Sequence, residues 1–201
     1  PGSDRIDDLA HTLGSLFTDG QLGPDTCVAG NGFGGFVALG VAVHYGSLFE
    51  RLLLLGCGAG FSPEGKRAFA AMAALVEKGG MAAVVETALR RIFTEDYIAG
   101  HPEEADQRRR VLADIPVVSF VNGCRALMEV DYQPQLTQVS NPTLVVTGAE
   151  DRATPPTLGE ELAGMMPRAT FRLLPGLAHA PHLQDPSTLL ASVGDFLDLE
   201  N

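Results

Sequence analysis

The sequence predicts an α/β fold with a mostly parallel sheet and a large helical insertion. Short apolar runs alternate with segments whose apolar residues recur at helical spacing, which is the pattern of βαβ units. The stretch 64–138 breaks this alternation, because it contains helical patterns and no strand signal. We therefore divide the chain into a first core segment (1–62), a helical cap (63–138) and a second core segment (139–201).

The two core segments contain four predicted strands. Each is a short, nearly continuous apolar run, which is typical of strands buried on both faces of a sheet. They are Thr26–Ala29, Arg51–Leu55, Pro142–Thr147 and Ala169–Leu174.

Helices are predicted around these strands and throughout the cap. The first helix is expected to be capped by Ser3, and its apolar stripe consists of Ile6, Leu9, Leu13, Leu16 and Phe17. The cap is predicted to hold four helices, over Phe69–Val76, Met81–Phe93, from Pro102 onward, and Ile115–Met128. A helix from Asp185-Pro186 to Leu197 ends the chain.

Composition excludes several functional classes. Apolar residues make up 45% of the chain and charged residues 19%, as in globular proteins. The net charge of −11 opposes non-specific nucleic-acid binding. No apolar stretch is long enough for a transmembrane helix. The three cysteines form no C-x-x-C motif, which favours free thiols and a cytoplasmic location, and no metal site is predicted.

A glycine-rich turn at Gly30–Gly35 joins the first strand to a helix and admits two interpretations. The letters Gly-Asn-Gly-Phe-Gly-Gly match the dinucleotide-binding fingerprint G-x-G-x-x-G. That fingerprint requires an acidic residue about 20 positions on, at the end of the next strand. Here that strand ends in Gly56-Cys57-Gly58. The alternative is the nucleophile elbow G-x-S-x-G, in which Gly32 occupies the serine position.

Two later loops carry the residues that favour the elbow. Asp151 follows the third predicted strand, and His179 follows the fourth. Because the carboxyl ends of parallel strands meet at one edge of a sheet, both side chains are expected near the turn. The order of nucleophile position, acid and histidine is that of α/β hydrolases.

On these residues the sequence resembles the α/β-hydrolase superfamily, from the helix before the elbow to the last helix. It is most similar to the 3-oxoadipate enol-lactonases and related lactone, ester and carbon–carbon hydrolases. The shared features are the Gly30–Gly35 turn followed by Phe36-Val-Ala-Leu39, Arg91-Ile-Phe-Thr94, Pro142–Gly148, Asp151-x-x-Thr154-Pro-Pro156, and His179 seven residues before Pro186.

The resemblance implies a role for each matching residue. Asp151 matches the acid that orients the histidine, and His179 matches the general base. The backbone N–H of Phe33 matches one donor of the oxyanion hole. Gln184 stands where the family often has a glutamate. The implied activity is ester or lactone hydrolysis without a metal or organic cofactor.

Two further residues are candidates for substrate contacts. Arg91 can steer an anionic substrate under the cap, with an exposed helical arginine as the alternative. His182 is placed on the pocket wall or facing solvent. The other histidines receive structural interpretations: His44 at a helix C-terminus, and His11 and His101 on the surface.

Gly32 is the main departure from the family pattern. Covalent hydrolysis requires a nucleophilic oxygen, and glycine has none. Glycine also relieves the backbone strain that serine carries at an elbow. We therefore expect an inactive or slow hydrolase, with a non-catalytic ligand-binding or sensor protein as the alternative.

The superfamily's sheet contains strands that precede the elbow strand, and they have no counterpart after Pro1. Without them the first predicted strand is an unpaired apolar edge. The expected partners are therefore a small ester or lactone and an N-terminal segment of the same protein. No nucleic acid or membrane is expected.

Overall fold

The computed structural model of the chain describes residues 5–199. Its sheet consists of β1 (Cys27–Asn31), β2 (Arg51–Leu55), β3 (Thr143–Gly148) and β4 (Ala169–Leu174). The strands are all parallel and lie in the order β1-β2-β3-β4. The predicted α/β class with a parallel sheet is confirmed, and each strand lies within two residues of its predicted bounds.

Ten α-helices accompany the sheet within residues 5–199. They are α1 (Ile6–Thr18), α2 (Phe33–Tyr45), α3 (Pro63–Gly79), α4 (Val85–Ile92), α5 (Glu95–Gly100), α6 (Pro102–Ala113), α7 (Val117–Glu129), α8 (Pro156–Met165), α9 (Pro181–Gln184) and α10 (Pro186–Leu197). Short 3-10 helices lie at Gly46–Leu48, Met81–Ala83 and Gln133–Gln138. No single helix in the described range is long and apolar enough to cross a membrane, although α6 and α7 together pass by length and composition with a 90° bend between them.

Burial on both faces of the sheet explains its uninterrupted apolar runs. On β2, Leu52 and Leu54 pack into a cluster with Phe36 of α2 and Leu162 of α8. The alternate residues Leu53 and Leu55 face the other way, against Leu189 and Val193 of α10. A strand with both faces covered has no polar alternation, so the prediction that the run of four leucines is a buried strand is confirmed.

The first helix packs through smaller residues than its leucine stripe indicated. Ile6, Ala10, Gly14 and Phe17 are buried, whereas Leu13 is 46% exposed. A Cβ on Gly14 would collide with the Tyr45 ring, so close approach of α1 to α2 requires a small residue there. Ser3, the expected cap, lies outside the described residues, and the Arg5 side chain makes no capping bond.

Helices α3–α7 lie between β2 and β3, where the sequence predicted four helices. The described residues contain five, because the predicted helix ending at Phe93 is followed by the separate helix α5. The Thr94 hydroxyl accepts a hydrogen bond from the Tyr97 N–H (3.2 Å), which starts α5. A threonine followed by Glu95 and Asp96 is a helix-start signal that the apolar pattern did not reveal.

The inserted helices contact the rest of the chain at two places. Leu89, Phe93, Ala105 and Leu112 form a buried cluster with Ala180, which lies in the loop after β4. At the other end, Ala126, Val130, Tyr132 and Leu136 join the main core cluster beneath the sheet. The loop after β4 is therefore packed directly against α4 and α6.

Candidate active site

Three loops meet at the carboxyl edge of the sheet and bring the predicted site residues together. They follow β1, β3 and β4 and carry Gly32, Asp151 and His179. The His179 Nδ1 lies 2.9 Å from the Asp151 Oδ2. A Cβ on Gly32 would lie 2.6 Å from the His179 Nε2, at the opposite side of the ring. The imidazole is thus held between the acid and the glycine turn.

The Asp151 carboxylate is rigidly held by its own loop. Its side chain is fully buried. The Oδ1 atom accepts hydrogen bonds from the backbone N–H groups of Ala153 and Thr154, both at 2.8 Å. The Oδ2 atom accepts a third from the Thr154 hydroxyl at 2.9 Å. These bonds orient the carboxylate toward His179 and satisfy a buried charge that would otherwise be costly.

The His179 ring has one occupied nitrogen and one free nitrogen. Because an ionised carboxylate only accepts hydrogen bonds, the bond to Asp151 places the proton on Nδ1. The Thr154 hydroxyl also lies 3.1 Å from this nitrogen. The Nε2 atom has no hydrogen-bond partner within residues 5–199, and the side chain is 16% exposed. A lone pair is therefore available beside the elbow.

The turn at Gly32 has a backbone conformation that favours glycine. Its φ is +54° and its ψ is −120°, and its N–H donates to the Leu55 carbonyl at 2.9 Å. Neighbouring glycines are required for a different reason: a Cβ on Gly30 would collide with the Gly34 carbonyl, and one on Gly35 would lie 2.8 Å from the Cys57 Cβ. The sequence Gly-x-Gly-x-Gly-Gly thus encodes a tight strand-to-helix turn.

Phe33 is the first residue of α2 and presents its N–H at the helix N-terminus. Among the described residues no acceptor binds this N–H, while the Gly32 carbonyl accepts from Gly35 and Phe36 further along the helix. A free N–H at a helix N-terminus is suited to stabilising negative charge. It lies next to the space bounded by Gly32 and the His179 Nε2.

Asn31, which sequence reasoning missed, ties the elbow to the histidine loop. Its Nδ2 donates to the His179 carbonyl at 2.8 Å and to the Leu55 carbonyl at 3.2 Å. The amide therefore fixes the backbone of the histidine relative to the turn. No local pattern indicates a bond between residues so far apart in sequence.

Gln184 fixes the histidine loop from the other side. Its Oε1 accepts from the Ala178 N–H (3.0 Å), and its Nε2 donates to the Gly176 carbonyl (3.0 Å) and the Thr94 hydroxyl (3.2 Å). The Ala180 N–H also donates to the Ile92 carbonyl at 3.2 Å. The sequence indicated Gln184 only as a departure from a family glutamate, whereas here its amide joins the loop to the inserted helices.

Among the described residues, the remaining predicted site residues make no hydrogen bond with the Asp151 or His179 side chain. His182 is exposed on α9, and desolvation, followed by the charges of Arg108 and His179, lowers its pKa. Arg91 is half-buried on α4 and lines a cavity that Gly32, Phe33 and His179 do not line. His11 and His101 are exposed, and the His44 Nε2 at the end of α2 lies 3.2 Å from the Asp7 Oδ1. Within residues 5–199 no cluster of three potential metal ligands occurs.

Gly56, at the end of β2, leaves room for the pair. Its φ is +51°, and a Cβ there would lie 2.9 Å from both the Asp151 Oδ2 and the His179 Nδ1. Burial nearby also raises the pKa of the adjacent Cys57 thiol to about 12, with the Asp151 charge as a second cause, so this thiol is a poor nucleophile. Gly56 therefore packs directly against the side chains of Asp151 and His179.

Gly56→Ala is expected to displace the acid–histidine hydrogen bond. The downfield proton NMR signal of the His179 Nδ1–H should shift or disappear, and unfolding should become easier by about 1–3 kcal/mol because of backbone strain. Gly80→Ala is the matched control, since Gly80 has a φ of +68° with no atom within 4 Å of the added Cβ. It should lose similar stability and keep the signal. An unchanged signal in Gly56→Ala would contradict the geometry described here.

Comparison with known proteins identifies the fold family. A family model described as the alpha/beta hydrolase family matches residues 2–193. The chain belongs to the alpha/beta hydrolase family. Membership of this family favours the nucleophile-elbow interpretation of the Gly30–Gly35 turn over the dinucleotide-binding interpretation.

Similar hydrolases include enzymes that act on lactones and esters. 3-Oxoadipate enol-lactonase 2 of Acinetobacter baylyi is 29% identical over 185 residues, covering 92% of this chain and 68% of that protein. The enol-lactonase from Burkholderia xenovorans LB400 is 26% identical with a TM-score of 0.87, covering 98% of this chain and 75% of the other. A thermophilic esterase from Thermogutta terrifontis is 26% identical with a TM-score of 0.85, covering 98% and 74% respectively.

Proposed function

We propose that this hydrolase cleaves small carboxylic esters or lactones slowly, using His179 to activate water directly. The observation that carries the proposal is the free Nε2 of His179, which faces the elbow while Asp151 holds Nδ1. Gly32 supplies no oxygen for a covalent intermediate. The similarity to enol-lactonases and an esterase supports the choice of substrate class.

The proposed reaction has four participants with distinct roles. A water oxygen attacks the ester carbonyl carbon while the His179 Nε2 accepts one of its protons. Asp151 stabilises the resulting imidazolium through Nδ1, and the Phe33 N–H stabilises the oxyanion. When the intermediate collapses, the carbon–oxygen bond to the leaving group breaks and His179 returns the proton to that oxygen. An ester yields a carboxylic acid and an alcohol, whereas a lactone yields one ring-opened molecule that carries both the carboxylic acid and the hydroxyl or enol.

The expected acceleration is modest for this family. General-base catalysis contributes roughly 10²–10⁴-fold, and covalent catalysis adds more only where a nucleophile exists.

We propose that residues 63–138 form a cap over the site, between the core segments 1–62 and 139–201. The cytoplasmic location, the N-terminal partner segment and the substrate contacts of Arg91 and His182 likewise stay part of the proposal.

Hydrolysis assays on the full chain test this function. With a panel of p-nitrophenyl esters, γ-lactones and enol-lactones, we expect turnover above the buffer rate with linear progress curves from the first turnover. Intact mass spectrometry during turnover should find no acyl adduct, because water attacks directly. An initial burst with an adduct would instead indicate a nucleophile elsewhere in the chain.

Gly32 also favours one second candidate, a ligand-binding or sensor protein on the same fold. This binding role predicts no turnover of any ester or lactone in the panel. It also predicts that calorimetry finds saturable binding of one of these compounds. Such a protein would stay without turnover even when serine replaces Gly32. That combination would overturn the hydrolase proposal.

A further inference from the structure

A cavity of about 320 Å³ lies where the inserted helices meet the loop after Asp151. Its walls include the start of α3, Arg91 of α4 and the segment from Arg152 to Leu158. Phe61 and Phe69 form an apolar side, while the two arginines provide positive charge. Gly32, Phe33 and His179 do not line it, whereas Arg152 and Ala153, next to Asp151, do.

Arg91 is a half-buried cation that makes no ion pair with any carboxylate in residues 5–199. Its guanidinium instead lies 3.9 Å from the Met72 sulfur, and its charge is felt by the buried Cys124 thiol. Neither sulfur group can neutralise a cation. The neighbouring Arg90 shows the usual alternative, because it is exposed and lies 3.3 Å from Glu95. The Arg91 charge is therefore left for solvent or a bound anion to compensate.

Arg152 adds a second positive charge to the same cavity. It is exposed, and it too forms no ion pair within residues 5–199. Glu64 is the acidic residue on the cavity wall, so the wall carries two cations and one anion. The chain as a whole has a net charge of −11, so a cavity wall with a net positive charge contrasts with the rest of the protein.

We propose that this cavity binds a small dianion, a dicarboxylate or a phosphate, between Arg91 and Arg152. Guanidinium groups bind carboxylate and phosphate oxygens in a bidentate manner, and the cavity is large enough for such a molecule. This site goes beyond the proposed hydrolysis, since Phe33, Asp151 and His179 do not line it, and it assigns Arg91 to a separate anion in place of the ester or lactone.

Binding there joins two parts of the molecule. Arg91 belongs to the inserted helices, and Arg152 directly follows Asp151. The same loop supplies Ala153 and Thr154, which hold the Asp151 carboxylate. A dianion bridging both arginines therefore stabilises α4 against the acid loop.

Titration of the full chain with succinate and, separately, with inorganic phosphate tests the site. Isothermal calorimetry should show saturable binding of at least one of them, and the melting temperature should rise by roughly 3–6 °C at ten times its Kd. Arg91→Gln and Arg152→Gln should each weaken binding by roughly 10–100-fold. Arg90→Gln is the matched control and should bind like the wild type.

One further variant separates a binding site from a merely structural role. Glu64→Gln removes the acidic group from the cavity wall, so it should tighten binding of the same dianion by several-fold, roughly 2–10-fold. Preference for succinate or for phosphate identifies the ligand class, and either supports the site. Absence of saturable binding of both anions to the wild type, or equal affinity in the wild type and Arg152→Gln, would overturn it.

Discussion

Replacing Gly32 by serine is expected to raise kcat/KM for ester hydrolysis by roughly 10²–10⁴-fold. Asp151 and His179 are already hydrogen-bonded beside the elbow, the Phe33 N–H is the proposed oxyanion donor, and Gly32 supplies no attacking oxygen. Complete triads exceed sites without the nucleophile by several orders of magnitude, because the covalent route divides one difficult step into two. The measurement is initial-rate hydrolysis of the best ester or lactone by both proteins, with an acyl adduct sought by mass spectrometry in the serine variant.

The new side chain needs space that His179 now occupies. A Cβ on Gly32 would lie 2.6 Å from the His179 Nε2, so the ring must withdraw before a hydroxyl can hydrogen-bond to it. Gly32→Ala is the matched control, because it adds the same Cβ without the oxygen. Both variants should lose about 1–3 kcal/mol of stability through backbone strain, and alanine should also lower activity. If serine and alanine behave alike, a side chain at position 32 does not act as a nucleophile beside His179, and the nucleophile-elbow role of this turn should be withdrawn.

His179→Ala is expected to reduce hydrolysis by roughly 10²–10⁴-fold, to near the buffer rate, since it removes the proposed general base. The assay is kcat/KM of the wild type and the variant on one substrate. His101→Ala is a suitable control because His101 is exposed on the inserted helices, and its activity should be unchanged. Hydrolysis that persists at the wild-type rate in His179→Ala would show that water is activated elsewhere.

Asp151→Asn tests the orientation of the base separately from its presence. Asparagine can still accept the Ala153 and Thr154 N–H bonds through its carbonyl oxygen. Its amide nitrogen would then donate to the His179 Nδ1, which moves the ring proton to Nε2 and removes the free lone pair. We expect a kcat/KM close to that of His179→Ala. The loss of stability should be much smaller than the loss that His179→Ala causes. Full activity in Asp151→Asn would contradict the proposed tautomer.

The acid and the histidine were predictable because they depend on one general property of parallel sheets. The apolar runs located the strands, and the carboxyl ends of parallel strands necessarily share an edge. A polar residue that directly follows one of these strands is therefore a candidate for the site. The strand ends, together with the hydrolase order of nucleophile position, acid and histidine, indicated that Gly32, Asp151 and His179 meet.

The supporting contacts were not predictable, since they join residues that no periodic pattern relates. The Asn31 amide reaches the His179 carbonyl across the site, and Gln184 reaches Thr94 on another element. Leu13 was misplaced because close helix packing selected the small residue Gly14 instead. Helix α5 was missed since its signal is a polar cap at Thr94 and not an apolar stripe.

The hydrogen bonds from Gln184 to Thr94 and from Ala180 to Ile92 connect the acid–histidine pair to helices outside the sheet. They attach the strip of chain that carries His179 to α4 and the start of α5. The position of the His179 ring beside Asp151 therefore depends on where α4 and the start of α5 lie, even though neither helix contributes a residue to the acid–histidine pair.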